Sequence, residues 1–455
     1  CALPIFNIYK FSCYPVRNLI KYKKETAASA GYCQSAAPRR IFMKFKLNDM
    51  EKKWILYDVG NSAFTLLIAT IMPIYFNYLA DQAGISEVNY LAYWGYATSA
   101  ATIIVAVLGP VLGAASDTKG RRKKIFLVSL LIGALGCVFL GFTQSWIWFL
   151  LLFVIAKSAY SLSLVVYDSM LPDVTTDDRA DQVSAQGYAW GYIGSCIPFI
   201  LSLMLVLFYD KIGLTMKTAM GISFLLVAVW WIVMSLPLLK NYRQKHYQSV
   251  ASGNNLAASF RRLKGVFSEL KNNRKILFFL IAFFFYIDGV YTIIDMATAY
   301  GTALGLDSTG LLLALLVTQI VAFPAALIFG RLAGKVSASR LITVSIGAYF
   351  LIALYGIILK EQYQFWILAV VVGIFQGAIQ SMSRSYFVKI IPADKSGEYF
   401  GIYDICGKGA AFAGTMVVSL ISQLSGSVNL GVGALSVMFL IGIFFFLKAD
   451  KTPLK

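Results

Sequence analysis

The chain has 455 residues, of which 58% are apolar and only 14% charged, with a formal net charge of +18. So much hydrophobic material excludes an ordinary water-soluble domain and points to a membrane protein. The positive charge would suggest nucleic acid in a soluble protein, but here it flanks apolar runs, where membrane topology accounts for it, and no nucleic-acid partner is expected.

Residues 1–42 carry seven bases against one acid and no uninterrupted apolar core, since Lys10 and Arg17 break it up. That is not a secretory signal. The segment is expected to be a leader outside the native protein, with Met43 as the natural start, or else a disordered basic tail.

About 20 mostly apolar residues cross the hydrocarbon of a bilayer as a helix. Cutting the remaining sequence at charge and turn residues gives twelve such spans, near 54–79, 93–115, 124–143, 146–168, 183–209, 213–238, 275–300, 308–331, 340–359, 365–389, 399–422 and 428–448. The expected fold is therefore an all-α integral membrane protein with a six-helix bundle over 43–238, a linker over 239–274 and a second six-helix bundle over 275–455. Basic residues concentrate after span 2, between spans 6 and 7 and in the tail, which places those segments and both termini in the cytoplasm. Within the linker, Leu256, Phe260, Leu263, Phe267 and Leu270 recur at helical spacing beside Arg261, Arg262 and Lys264, the pattern of an amphipathic interfacial helix.

The two halves echo one another at a shift of roughly 220 residues. Tyr57, Asp58 and Gly60 in span 1 answer to Tyr286, Asp288 and Gly289 in span 7, and Pro172 after span 4 answers to Pro392 after span 10. Repeated six-span halves are a transporter architecture, with the solute site near the midplane between them.

The loop after span 2, GPVLGAASDTKGRRKK, carries Gly113, Asp117, Gly120, Arg121 and Arg122 in the pattern G-x-x-x-D-x-x-G-R-[RK]. Glycine at 113 allows close helix approach, glycine at 120 allows a sharp reversal, and Asp117 is placed to face the positive N-terminus of another helix. Topogenic charge alone would explain Lys123 and Lys124 but neither the acid nor the glycines. The pattern resembles the loop signature of the major facilitator superfamily. That resemblance implies span 11, opening near Glu398, as the partner of Asp117, and an Arg121 contact to Asp168 that completes a cytoplasmic gate. The second-half counterpart keeps Gly330, Arg331 and Gly334 but lacks the acid.

The stretches WILYDVGNSAFTLLIATIMPIYF, YDSMLPDVTTDDRADQVSAQGYAWGYIG and FFFYIDGVYTIIDMATAYG resemble the vacuole-effluxer branch of that superfamily. This implies a secondary transporter of a small-molecule solute and suggests amino acids as the substrate class. A prokaryotic cytoplasmic membrane and a monomer are the expected setting, with export of sugars or drugs, or a membrane receptor or scaffold, as alternatives.

Ionisable groups inside spans cost roughly 3 kcal/mol or more each and face a cavity or a partner. They are Asp58 near the inner end of span 1, Lys157 in span 4, Asp288 and Asp295 two turns apart on one face of span 7, Arg384 in span 10, and Asp404 and Lys408 in span 11. Asp58 reads as a gate or packing residue. Asp404 and Lys408 are spaced to neutralise each other. Lys157 needs a carboxylate from another helix or from the solute, and Asp288 is the candidate for carrying a coupling proton. Asn61, Gln376 and Gln380 are solute contacts or interhelical bonds. Trp190, between Gly187 and Gly191, lines the cavity or marks helix packing, whereas Trp54, Trp146 and Trp366 at span ends read as interface anchors. The single histidine, His246, lies in the linker, Cys137, Cys196 and Cys406 stand singly inside spans, and no phosphate-cradling loop is present. Neither enzyme chemistry nor a metal or cofactor is expected.

Overall fold

Among the described residues the chain forms twelve long helices. The computed structural model describes residues 45–248, 269–270 and 272–454, so the expectations for residues 1–42 and for most of the amphipathic linker lie outside the described residues. In chain order the helices are α1 Asp49–Gln82, α2 Glu87–Ser116, α3 Arg122–Leu140, α4 Trp146–Ser169, α5 Asp177–Leu207, α6 Met216–Asn241, α7 Arg274–Ala303, α8 Ser308–Leu332, α9 Ala338–Ile358, α10 Gln362–Ile390, α11 Ser396–Ser425 and α12 Val428–Lys451. Among the described residues eleven stretches of these helices are apolar and long enough to cross a bilayer, and α11 is itself a 30-residue helix with Glu398 and Asp404 in its first half. Several helices outrun the apolar windows read from the sequence, as in α5, which begins at Asp177 rather than 183, because hydropathy registers only the part of a helix that lipid must cover.

Local chemistry sets the helix ends. Asn48, Ser86, Thr215, Asn273, Asp307, Ser337 and Ser427 each accept a first-turn backbone N–H with the side chain, relieving donors that have no partner inside the helix. A π turn at Leu67–Ile71 loosens α1 just before Pro73, which has no N–H to give to the helix.

The neighbour scheme repeats with a shift of six helices. In the N-terminal half α1 packs on α5 and α6, α2 on α4, and α3 on α4 and α6; in the C-terminal half α7 packs on α11 and α12, α8 on α10, and α9 on α10 and α12. The halves meet through α2 with α11, α5 with α8 and α10, and α4 with α11. The Tyr57 hydroxyl bonds Ser163 of α4 at 2.5 Å, and the Tyr286 hydroxyl bonds Ser383 of α10 at 2.6 Å, the same bond in each half. Short connections make successive helices antiparallel, so the 2–3, 4–5, 8–9 and 10–11 connections share one end with the start of α1 and the end of α12. We term this the basic end.

Candidate functional site at the basic end

Asp117 ends α2 with its side chain fully buried, and its carboxylate accepts the backbone N–H groups of Gly397 at 2.8 Å and Glu398 at 2.9 Å. These are first-turn donors of α11, where unpaired N–H groups and the helix dipole favour an anion. One turn back, a Cβ on Gly113 would lie 2.2 Å from the Gly397 carbonyl oxygen, so the two helices touch backbone to backbone. Gly120 takes the reversal at φ +73°, a left-handed conformation.

The cation in this contact is Arg122, where Arg121 was expected. Arg122 is fully buried and bonds Asp117 Oδ1 at 2.5 Å, Ser396 Oγ at 3.0 Å, Asp173 Oδ2 at 2.8 Å and the Ser169 carbonyl at 3.1 Å. Adjacent helical residues point about 100° apart, so at the start of α3 only one of the two arginines can enter the seam; Arg121 stays half-buried at the cap position. The second acid is likewise Asp173, in the one-turn helix Leu171–Val174, and not Asp168. Burial pushes the Asp117 carboxyl up to about 6, against the opposing pull of Arg122 and the two N–H groups.

The first residues after α6 lie across this cluster. Asp173 accepts the Tyr242 hydroxyl, the N–H groups of Lys245 at 3.0 Å and His246 at 2.8 Å, and a His246 Nδ1 contact at 3.0 Å. Gln248 donates its N–H to the Asp117 carbonyl at 2.8 Å, and Gln244 bridges Gly120 and Ser116. Burial raises the Tyr242 phenol above its ordinary value, which keeps it a donor. Across the seam Lys395, directly before α11, pairs with Glu269 at 2.7 Å.

A second cluster stands deeper between the halves. Arg384 of α10 is 2% exposed and bonds Asp58 of α1 at 3.2 Å, Asp168 of α4 at 3.0 Å, and both the hydroxyl (2.9 Å) and carbonyl (3.1 Å) of Ser184 on α5. Its guanidinium lies 4.4 Å from the Tyr188 ring centre, 4.6 Å from Trp54 and 5.8 Å from Tyr167. Trp54 is thus no interface anchor. It is fully buried, stacks on Tyr167 at 4.4 Å and donates its indole N–H to the Tyr167 carbonyl, because the contact between halves covers this end of α1. Asn61 steadies Asp58 from 3.3 Å. Nearby, Ser184 donates to the Ser381 carbonyl, and Lys389 pairs with Asp181 at 2.6 Å.

The remaining residues named from the sequence are spread more widely. Asp288 is fully buried; its Oδ1 accepts the Gly414 N–H at 3.0 Å and the Thr292 hydroxyl at 3.3 Å, and neither partner carries a charge. Asp295, two turns on, is exposed on α7, and the charge of Lys157 on α4 of the other half acts on it. Gln376 is buried beside a 60 Å³ cavity within the C-terminal half, whose wall includes Thr292, Met296, Leu315 and Val372. Trp190 is 44% exposed and meets Phe323 of α8 edge-on, while Gly187 and Gly191 face Asp58 and its helix. Asp404 is half-buried; the Lys408 side chain lies outside the described residues. Sequence reasoning missed Glu51, which is fully buried and holds Arg179 at 2.7 Å, fastening the starts of α1 and α5.

Residues 49–452 match the family described as Vacuole effluxer Atg22 like. The chain belongs to that family. Among its Atg22-like relatives, the Bacillus subtilis (strain 168) protein named "Uncharacterized MFS-type transporter YxiO" is 37% identical over 406 residues, 88% of this chain and 95% of that protein. Autophagy-related protein 22 of Kluyveromyces lactis is 22% identical over 336 residues, 66% of this chain and 67% of that one. In fold the chain is similar to the major facilitator transporter FucP in its outward conformation (TM-score 0.67, 14% identity, 89% of this chain and 98% of that chain). It is also similar to a bacterial homologue of the iron transporter ferroportin in an outward-facing state (TM-score 0.66, 12% identity, 89% and 99%). This Atg22-like protein is a multi-pass membrane transporter of the major facilitator fold and not an enzyme.

Proposed function

We propose that this chain is a secondary transporter that carries a small polar solute by alternating access, and that the conformer described is the one closed at the cytoplasmic face. The observation that carries the reading is where the halves are tied. Asp117 with α11, Arg122 with Ser396, Arg384 with Asp58 and Asp168, and Lys389 with Asp181 all sit toward the basic end, which the positive-inside rule assigns to the cytoplasm. Buried ion pairs that, among the described residues, tie the two bundles together toward this end suit a gate that breaks and reforms; a scaffold has no need of them.

Amino acids are the solute class that the family resemblance suggests, with sugars and drugs as alternatives. Coupling to protons is assigned to Asp288, whose buried carboxyl has two neutral donors on one oxygen and no hydrogen-bond partner among the described residues on the other. A proton there would remove a charge that the fold does not otherwise compensate.

The test is reconstitution of the purified protein into liposomes, followed by uptake and efflux of a mixed panel of labelled amino acids, sugars and cationic drugs with and without a pH gradient. Saturable movement of at least one class supports the reading. Correctly folded protein that moves none of them would place the chain among receptors or scaffolds.

A further inference from the structure

The Arg384 cluster is built asymmetrically. Among the described residues, every group that holds the guanidinium belongs to the N-terminal half: Trp54 and Asp58 on α1, Tyr167 and Asp168 on α4, Ser184 and Tyr188 on α5. The cation alone comes from the other half. Gly187 makes room for the pair, since a Cβ there would come within 2.2 Å of Asp58 Oδ2 and 3.0 Å of the guanidinium.

We propose that this cage is a cation site of the N-terminal half, occupied by Arg384 in the closed conformer, and that in the conformer open at the basic end it takes the ammonium or guanidinium head of the transported solute. The inference rests on the alternating-access reading above and names its substrate class. When the halves part, α10 withdraws Arg384 and leaves two carboxylates with no cation from the cage itself. Like charges held close in a partly buried site are costly unless a counter-charge returns. The ring faces favour an organic cation, which they attract through the aromatic quadrupole. Arg384 and the solute head cannot share the cage, so Arg384 acts as a tethered competitor: its return on closure expels the solute, and bound solute opposes closure.

The test uses full-length protein in detergent and labelled methylguanidinium, with methylurea as the neutral probe of the same shape. Tethering gives Arg384 an effective concentration in the millimolar range or higher, so Arg384→Ala is expected to bind methylguanidinium about tenfold or more tightly than wild type. That binding disappears when Asp58→Asn and Asp168→Asn are added, and methylurea does not compete. If Arg384→Ala fails to fold, Asp117→Ala, which removes the acceptor for the first turn of α11 and frees the basic end with Arg384 intact, is expected to show the same tightening relative to wild type. Wild-type liposomes loaded with methylguanidinium are expected to exchange it for labelled probe, and Asp168→Asn liposomes to lose the exchange. Folded variants that bind neither probe, or both equally, overturn the cation site. Binding without wild-type exchange overturns the assigned substrate class, while uptake of any other solute in the reconstitution panel leaves the transporter reading standing.

Discussion

Asp117 and Gly397 lie 280 residues apart in the chain, yet the carboxylate of one accepts the backbone N–H of the other at 2.8 Å. The bond joins the C-terminal end of α2 to the first turn of α11, and so joins the two halves of the molecule. Its geometry depends on the side chains that Gly397 and Gly113 lack: a Cβ on Gly397 would meet the Gly113 carbonyl oxygen at 2.3 Å.

That contact predicts the effect of Gly113→Ala. The added methyl would sit 2.2 Å from the Gly397 carbonyl oxygen, too close for side-chain adjustment to relieve, since the neighbour is backbone. Overpacking of this kind costs about 1–3 kcal/mol. The cost falls on the closed conformer, so cysteine labelling from the basic side should rise.

The two neighbouring arginines should part company. Arg122→Ala leaves Asp117 and Asp173 buried without their shared cation, a loss of about 3–5 kcal/mol, and should lower thermal stability in detergent and increase labelling at the basic end. Arg121→Ala, at a half-buried position, should do much less. Equal effects of the two would contradict the assignment of the cation.

Closure at the basic end should strengthen on mild acidification. Asp117 has its carboxyl raised from 3.8 to about 6 by burial in the closed conformer. A raised carboxyl binds its proton more tightly when closed, so the favourable contribution is present at low pH and is lost as pH rises through about 6. Between pH 7.5 and 5.5 the closed-to-open ratio should rise about fourfold, read by labelling rates, and Asp117→Ala should remove this component. A fall on acidification in wild type would reverse the sign.

Asp288→Asn should uncouple transport from the proton gradient and yet allow exchange of solute between equal pools. Gradient-driven accumulation and counterflow measured in the same liposomes decide it: a variant that still accumulates solute with a pH gradient as the sole driving force excludes Asp288 as the coupling site.

The membrane spans, and the glycine and the acid at the end of α2, were legible in the sequence because each rests on local rules, namely apolar run length, turn conformation and helix polarity; that α11 supplies the facing helix terminus was implied by the family resemblance alone. Partners set by rotation about a helix axis were not. Choosing Arg122 over Arg121, and Asp173 over Asp168, requires knowing which way two adjacent residues face once α3 and α4 have packed. Arg384 appeared as one intramembrane charge among several, since its cage is assembled from residues some 200 to 330 positions away. Trp54 was misread because a tryptophan at the end of a span normally meets lipid headgroups, and only the second half of the chain, folded against the first, shows what covers it. The Tyr57–Ser163 and Tyr286–Ser383 bonds give a physical meaning to an internal echo that was visible only as matching letters.

The most direct test of a gate held by Asp117 and Arg384 is a spin-label distance measurement across the basic end, with labels at the exposed residues Lys124 and Lys335, one in each half. Wild-type protein without solute should give a dominant short-distance population, and Asp117→Ala with Arg384→Ala should add or enlarge a longer one. An unchanged distance distribution in the folded double variant would contradict the account.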